Sequence, residues 1–358
     1  MPPEPLVTTV IPTYRRPYMV RRAIRSVLDQ TYRHLRVCVY DNASDDDTAE
    51  VVTALASQDS RVRYYRHSEN IGPQENFIFG LSRVDTPLFN LLSDDDFLLP
   101  GFLAEATSAL ASNPIAGFFF GGILSADSDG RVTASSDFGS EAAQTCLPPR
   151  LFQLLVPNTR TWTSILFRRS LAECLGGLKR ETSYGADTDF ILRSAVRYPA
   201  VLSNSPCAVF TLHPGSTSVS NFPETFESAL NLVLFDSVND AIEGALKDNI
   251  VTKHVADEMK TSLRTVTERN LVRGAFGVIA RGRLSVADRA SDVLAETFKR
   301  QHMAAVIKAA SLDNNLGKLL RLVIRSIRAT RRLLFAGNSY RRPSSDSELV
   351  KHRLLQLA

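Results

Sequence analysis

Over the first hundred residues, short apolar runs alternate with stretches of helical spacing, and the runs break off into polar clusters. Leu6–Pro12 (LVTTVIP) is short and rich in β-branched residues, as a buried strand is. Pro17 suits the first turn of a helix, where its missing N–H costs nothing. Val20, Ala23, Ile24, Val27 and Leu28 then form one apolar stripe. Arg36–Tyr40 reads as a second strand, and Val51, Val52, Leu55 and Ala56 mark a second helix. Val62–Tyr65 is a third strand, Phe77, Ile78 and Leu81 lie on a third helix, and Leu88–Leu92 is a fourth strand. This β-α-β-α-β-α-β order predicts an α/β fold with a mainly parallel central sheet and helices on both faces. Ligands bind such sheets at the carboxyl ends of the strands. The clusters PTYRR, DNASDD and SDDD all fall there.

The last of these clusters is the most telling. In LLSDDDFLLP, at residues 91–100, an apolar strand ends in Asp94, Asp95 and Asp96. Adjacent carboxylates repel unless a cation or water stands among them. Oxygen ligands suit a hard divalent ion, Mg²⁺ or Mn²⁺, and such ions bridge to substrate phosphates. An acidic turn capping the helix after Pro100 is the alternative. No GxGxxG follows the first strand, and GxxxxGK[ST] is absent, so neither a dinucleotide fingerprint nor a P-loop is present. A nucleotide would instead be held by side chains at the strand ends.

The chain's 358 residues suffice for about two domains, and no uninterrupted apolar stretch is long enough to span a membrane. The N-terminal residues lack the basic and apolar regions of a secretory signal. Cys38, Cys146, Cys174 and Cys207 show no CxxC spacing, which points to structural thiols in a reducing compartment. A cytoplasmic setting is expected. The net charge of +4 divides into about +7 over residues 221–358 and about −3 over residues 1–220. That asymmetry suggests a catalytic part and a part that meets an anionic surface.

Taken together, VIPTYRR (10–16), SVLDQTY (26–32), YDNASDDDT (40–48), NIG (70–72) and LSDDDFLLP (92–100) resemble family 2 of the inverting GT-A glycosyltransferases, which use nucleotide-diphospho-sugars. With a later acidic element the resemblance spans about residues 6–215. It implies that Pro12, Thr13 and Tyr14 border the base and ribose, with Asn70 on the nucleotide-sugar side. Asp41 is implied to accept from the base, from a pyrimidine N3–H. Asp94 is implied to hold ribose and Asp95 the metal, Mn²⁺ or Mg²⁺, with Asp96 as the alternative ligand. The commoner pattern has an acid at the position of Ser93.

The later element is YGADTDFILR (184–193), with Asp187 and Asp189 at the mouth of a helix. Carboxylates there also suit the helix dipole. The resemblance implies Asp187 as general base, and Asp189 is expected on the acceptor side. Ala186 stands where a Glu is usual. His213 is read either as a metal or diphosphate contact or as a structural loop histidine. Trp162 is read either as an acceptor platform or as a core residue. Gly176-Gly177 suggests a mobile turn.

From about Glu224 helical spacing dominates. Leu316, Leu319, Leu320, Val323, Ile327 and Leu334 form an apolar stripe, opposed by Lys318, Arg321, Arg325, Arg328, Arg331 and Arg332. Such a helix either lies in an anionic membrane interface or packs on the domain with a solvated basic face. The expected organisation is a GT-A catalytic domain over 1–223, a helical region over 224–340, and a tail over 341–358 whose polar start is poorly ordered. The expected activity is inverting transfer of a sugar from a nucleotide-diphospho-sugar to an acceptor hydroxyl. The acceptor would be a saccharide or lipid-linked saccharide in surface polysaccharide or glycolipid synthesis, at the inner face of a membrane, with no nucleic acid partner. A nucleotidyltransferase would need a Gly- and Arg-rich loop that PTYRRP does not provide. A non-catalytic nucleotide-sugar-binding or scaffold protein is the other rival.

Overall fold

The computed structural model describes residues 4–136, 138, 143–158, 161–213, 215, 222–312, 314–336 and 344–357. The first strand β1 (Val7–Thr13) is buried along its whole length, as a central parallel strand covered on both faces must be. It pairs in parallel with β2 (Leu35–Asp41) and β4 (Leu88–Leu91), and β2 pairs in parallel with β3 (Val62–Arg66). Between them run α1 (Pro17–Leu28), α2 (Thr48–Gln58) and α3 (Pro73–Ser82). The stripe Val20, Ala23, Ile24 and Val27 is fully buried against the sheet. All seven of these elements lie where the sequence predicts them.

Beyond β4 the sheet becomes mixed. After β5 (Phe97–Leu98) come α4 (Phe102–Ser112), β6 (Phe118–Asp127), β7 (Val132–Ser135), β8 (Gln144–Cys146), α5 (Arg150–Leu155) and β9 (Ile165–Arg168). Then follow α6 (Arg169–Leu175), a 3-10 turn (Arg180–Gly185), α7 (Ala186–Arg197) and β10 (Ala200–Leu212). The sheet order is β3-β2-β1-β4-β9-β6-β10-β5, with β9 antiparallel to both neighbours. β10 is parallel to β6 and antiparallel to β5. Residues 92–96 therefore carry the chain from a middle strand to the sheet edge, and the three aspartates lie on that crossing.

The chain just after the crossing is held by α1 and the turn beyond it. On α1, the hydroxyl of Ser26 accepts from the Leu98 N–H at 3.0 Å. Just beyond α1, the fully buried Gln30 donates to the Leu99 carbonyl at 2.8 Å and accepts from the Leu103 N–H at 3.1 Å. On the other face α3 lies close against β1. A Cβ at Gly80 would sit 2.5 Å from a Val10 methyl, so glycine is needed for that approach. Gly176 and Gly177 follow α6 directly. Both take left-handed backbone angles that close α6, and Arg193 donates to the Leu175 and Gly177 carbonyls at 2.9 and 2.8 Å.

The helical region comprises α8 (Phe222–Ala229), α9 (Val233–Lys247), α10 (Lys253–Ala280), α11 (Leu284–Glu296), α12 (Gln301–Ser311) and α13 (Asn315–Ala336). Its first part shares a core with the sheet, since Val238, Ile242, Met259 and Leu263 pack with Phe190 and Leu192 of α7. The later part builds its own core around Leu271, Val278, Ala287, Leu294 and Ile307. The C-terminal stretch contains a further helix, α14 (Ser344–Leu357), whose Val350 and Leu357 are buried against Phe97, Leu99 and Val209. The polar start of the expected tail lies outside the described residues.

Gln30→Ala should leave a buried carbonyl and a buried N–H unpaired and lower stability by about 2 kcal/mol or more. Urea unfolding checks this against Gln58→Ala, an exposed position expected to change stability by less than about 0.5 kcal/mol.

Candidate active site

The carboxyl ends of β1, β2 and β4 open into a cleft of about 330 Å³. β1 and the turn after it contribute Pro12, Thr13, Tyr14 and Arg16 to its wall. Asn42 follows β2, Asn70, Pro73 and Phe77 come from the approach to α3 and from α3 itself, and Ser93, Asp94 and Asp95 follow β4. The three aspartates, adjacent in sequence, meet three different environments.

Asp94 is buried and accepts from the Thr13 hydroxyl and the Arg16 guanidinium, each at 2.8 Å. Burial pushes its carboxyl up to about 6; Arg16 pulls it down and Asp95 adds to the rise. Asp95 is the member that opens to the cleft. Its Oδ2 lies 2.9 Å from Arg16 and 3.1 Å from Nε2 of His213, so β1 and the end of β10 converge on one oxygen. Arg16 also donates to the Gly215 carbonyl at 3.1 Å and so ties down the chain just beyond β10. Asp96 is fully buried and accepts from the Thr163 hydroxyl at 2.7 Å and the Thr211 N–H at 2.9 Å. Burial, reinforced by Asp95, drives its carboxyl well above the carboxylate range. Asp96 is thus a structural clasp between the β4–β5 crossing and β10. Expected as an alternative metal ligand, it has both oxygens facing protein donors. Arg22 completes the support: it donates to the Asp95 carbonyl and, at 3.1 Å, to the Thr211 hydroxyl.

A divalent ion fits here through Asp95 and His213. The donor set is the Asp95 carboxylate, in the cleft wall, and the His213 imidazole 3.1 Å from it. Among the described residues no three His, Cys, Asp or Glu side chains converge into a closed cage. An ion that keeps waters and takes the rest of its ligands from a diphosphate needs no such cage.

On the nucleotide side, Asp41 is fully buried. It accepts from the Ser44 N–H at 2.9 Å and the Tyr64 hydroxyl at 2.6 Å, and Arg66 lies 3.8 Å away. It shapes the turn after β2 and is not among the residues that line the cleft. Asn42, next in sequence, reaches the wall instead. Its amide donates to Asn70 at 2.8 Å and accepts from the Ile71 N–H at 2.8 Å.

Asp187 stands half-buried at the first turn of α7, accepting from the Thr188 N–H at 2.7 Å. Burial pushes its carboxyl up to about 6, while the Thr188 N–H pulls it down. The turn leading to it is anchored beside the cleft, with Gln74 of α3 donating to the Lys179 carbonyl at 2.7 Å and Arg180 paired with Glu75 at 2.8 Å. Ala186 is buried in the core, where the usual Glu would bring a charge among apolar side chains. Asp189 is fully buried in an ion pair with Arg193 at 2.7 Å and accepts from Ser237 of α9 at 2.5 Å. Trp162 is 5 % exposed and packs on Phe77 with ring centroids 4.9 Å apart. Neither side chain lines the cleft. Asp189 joins α7 to the helical region, and Trp162 supports the cleft wall from behind.

Residues that sequence reasoning gave no role are Arg16, Asn42, Phe77 and Thr163. Arg16 had a signal, since two arginines follow the first strand opposite an acidic cluster.

Residues 8–176 match the family model described as Glycosyl transferase family 2. The match contains the cleft and its aspartates and ends before Asp187 and His213. A GalNAc(5)-diNAcBac-PP-undecaprenol beta-1,3-glucosyltransferase of Campylobacter jejuni is 34% identical over 101 residues, covering 28% of this chain and 33% of that protein. An uncharacterized protein of Mycobacterium tuberculosis is 27% identical over 208 residues, covering 55% and 64%. The chain thus spans only a third to about two thirds of the length of these relatives. Among solved structures, residues 1–349 of Staphylococcus aureus TarS in complex with UDP-GlcNAc superpose with a TM-score of 0.62. The identity is 14%, and the match covers 84% of this chain and 90% of that one. The mannosyltransferase PcManGT of Pyrobaculum calidifontis, in complex with GDP-Man and Mn²⁺, matches at a TM-score of 0.50 and 17% identity, covering 99% and 88%. Residues 8–176 thus carry a segment that matches glycosyl transferase family 2, and the chain is built on the GT-A fold.

Proposed function

We propose that the protein transfers a sugar, with inversion, from a nucleotide-diphospho-sugar to the hydroxyl of a saccharide or lipid-linked saccharide. The observation that carries this reading is the convergence of Arg16 and His213 on Asp95 at the mouth of a cleft of nucleotide size. Thr13, Tyr14 and Pro12 would border base and ribose, Asp94 would take the ribose hydroxyls, and Asn42 and Asn70 would meet the base edge. Asp95 and His213 would hold Mn²⁺ or Mg²⁺, which supplies charge stabilisation for the departing diphosphate. Residues 1–223 would carry the chemistry and 224–340 the helical region.

In the transfer step the acceptor oxygen bonds to the anomeric carbon as the bond from that carbon to the diphosphate oxygen breaks. The nucleoside diphosphate leaves with the electron pair, and the acceptor proton passes to Asp187. A carboxyl raised to about 6 is ionised at neutral pH yet more basic than an ordinary aspartate, which suits this task. A lipid-linked acceptor would place the enzyme at the inner face of a membrane, in glycolipid or surface polysaccharide assembly. The lipid-linked substrate in the name of the Campylobacter relative supports that setting.

Asp187→Asn should lower turnover by roughly 10²- to 10⁴-fold while leaving donor affinity in place. Wild-type turnover should rise with pH through about 6 and level off above it. The folded-state value lies above that of a free aspartate, so ionised Asp187 costs stability above this window and nothing below about pH 4. Asp187→Asn should therefore raise the thermal midpoint at pH 8 and leave it unchanged at pH 3, as scanning calorimetry would read. An inactive variant without that gain would mark damage to the fold rather than loss of a base.

Asp95→Ala should lower Mn²⁺-assisted nucleotide affinity about tenfold or more, since it removes the carboxylate that faces the cleft. Calorimetric titration with UDP, dTDP, GDP and CDP, with and without the ion, tests this and names the nucleotide. If none of them binds, with or without metal, the transferase reading fails and a scaffold role takes its place.

A further inference from the structure

The helix α13 does not bury the apolar stripe that its sequence displays. Its inward face is Gly317, Leu320 and Ile324, packed on the core of the helical region. At Gly317 a Cβ would meet the Leu312 carbonyl oxygen at 2.0 Å, so the helix is seated as closely as a backbone allows. Arg321 is turned to the end of α12, where it donates to the Ala310 and Leu312 carbonyls at 3.0 and 2.8 Å. This seating leaves Leu316, Leu319, Leu322 and Val323 between 46 and 61 % exposed, with Leu312 beside them at the helix start. Residues 316, 319 and 323 recur at helical spacing and form one outward ridge, which 322 widens. Contiguous apolar exposure of this kind is uncommon on a monomer surface and marks an interaction site.

The charge of the α13 sequence selects the partner. Between Asn315 and Ala336 the chain carries Lys318, Arg321, Arg325, Arg328, Arg331 and Arg332 and no acid. Lys318 is itself exposed beside the ridge. A protein partner with an acidic rim would match part of this pattern, but an anionic bilayer matches both halves at once. Aliphatic side chains enter the acyl boundary, and basic ones meet the headgroups. Among the described residues no helix is long and apolar enough to cross a membrane, so the helix would lie along the surface.

We propose that the outward face of α13 is a docking surface for the anionic leaflet of a bilayer. This deepens the functional reading by naming the surface that meets the membrane. It rests on that reading only for the lipid-linked acceptor, because lipid binding needs neither donor nor transfer.

The test is co-sedimentation of the full chain, without nucleotide or acceptor, with phosphatidylcholine vesicles with and without phosphatidylglycerol. Light scattering of the same samples follows the oligomeric state. Wild type should bind only the phosphatidylglycerol vesicles, and the bound fraction should fall as salt is raised. The double variant Leu319→Glu, Leu322→Glu should lose about nine-tenths of that binding with an unchanged thermal midpoint, because both side chains are exposed. Lys318→Glu should weaken binding several-fold. Equal binding to both vesicle types, or no effect of the double variant, overturns the proposal. So does a dimer that the double variant dissociates in the absence of vesicle binding, which would make the ridge a contact between copies. Metal-dependent nucleotide titration is unaffected by either result and judges the transferase reading separately.

Discussion

Three neighbouring carboxylates cannot share one environment without one of them failing to ionise, and the structure is arranged around that repulsion. The β4–β5 crossing turns Asp94, Asp95 and Asp96 to three different sets of donors. Asp96 is drawn into the protein by a hydroxyl and a backbone N–H, Asp94 is shared between a hydroxyl and Arg16, and Asp95 is left facing the cleft. Each outcome depends on an element distant in sequence: β1 for Thr13, the stretch before β9 for Thr163, and the end of β10 for Thr211 and His213. The mixed half of the sheet therefore serves the parallel half. Without β9 and β10 beside it, the crossing would have no partners for Asp96 and no imidazole beside Asp95.

Secondary structure in the first hundred residues was legible because each element declares its period. Buried parallel strands read as β-branched runs, and α1 as a single stripe, since one face alone meets the sheet. The cleft was legible for a related reason: in a parallel sheet the strand ends must gather on one edge. The division of labour among the aspartates was not. Three identical letters in a row give no sign of which falls on the inside of a turn, and the answer lies with Thr163 and Thr211, over sixty residues further on. Asp41 shows the same limit, because the hydroxyl that claims it comes from Tyr64 on the neighbouring strand.

Asp189 could have been read correctly. An acid followed four residues later by Arg193 on an apolar helix is the pattern of an internal pair, and both members are buried. Trp162 offered no such signal, since a single tryptophan between threonines has no period to place it. The C-terminal region was legible as helices but not as contacts. The stripe on α13 suggested one buried face, whereas packing of Gly317 and Leu320 rotates part of it outward. The contact of α14 with Phe97 and Val209 joins residues some 250 and 140 positions apart, beyond the reach of local pattern.

Arg16 has a consequence in simple electroneutrality. Asp94 and Asp95 together face one permanent positive charge, so when both are ionised the cleft mouth holds a surplus of one negative charge. A divalent ion arriving alone would reverse that sign, whereas one carrying a sugar nucleotide, with roughly two negative charges on its diphosphate, would restore it. The anionic surplus that the guanidinium leaves would disfavour a bare nucleotide and admit one that arrives with a divalent ion. Because the same side chain holds the Gly215 carbonyl, the arrival of that pair would also be felt by the chain beyond β10.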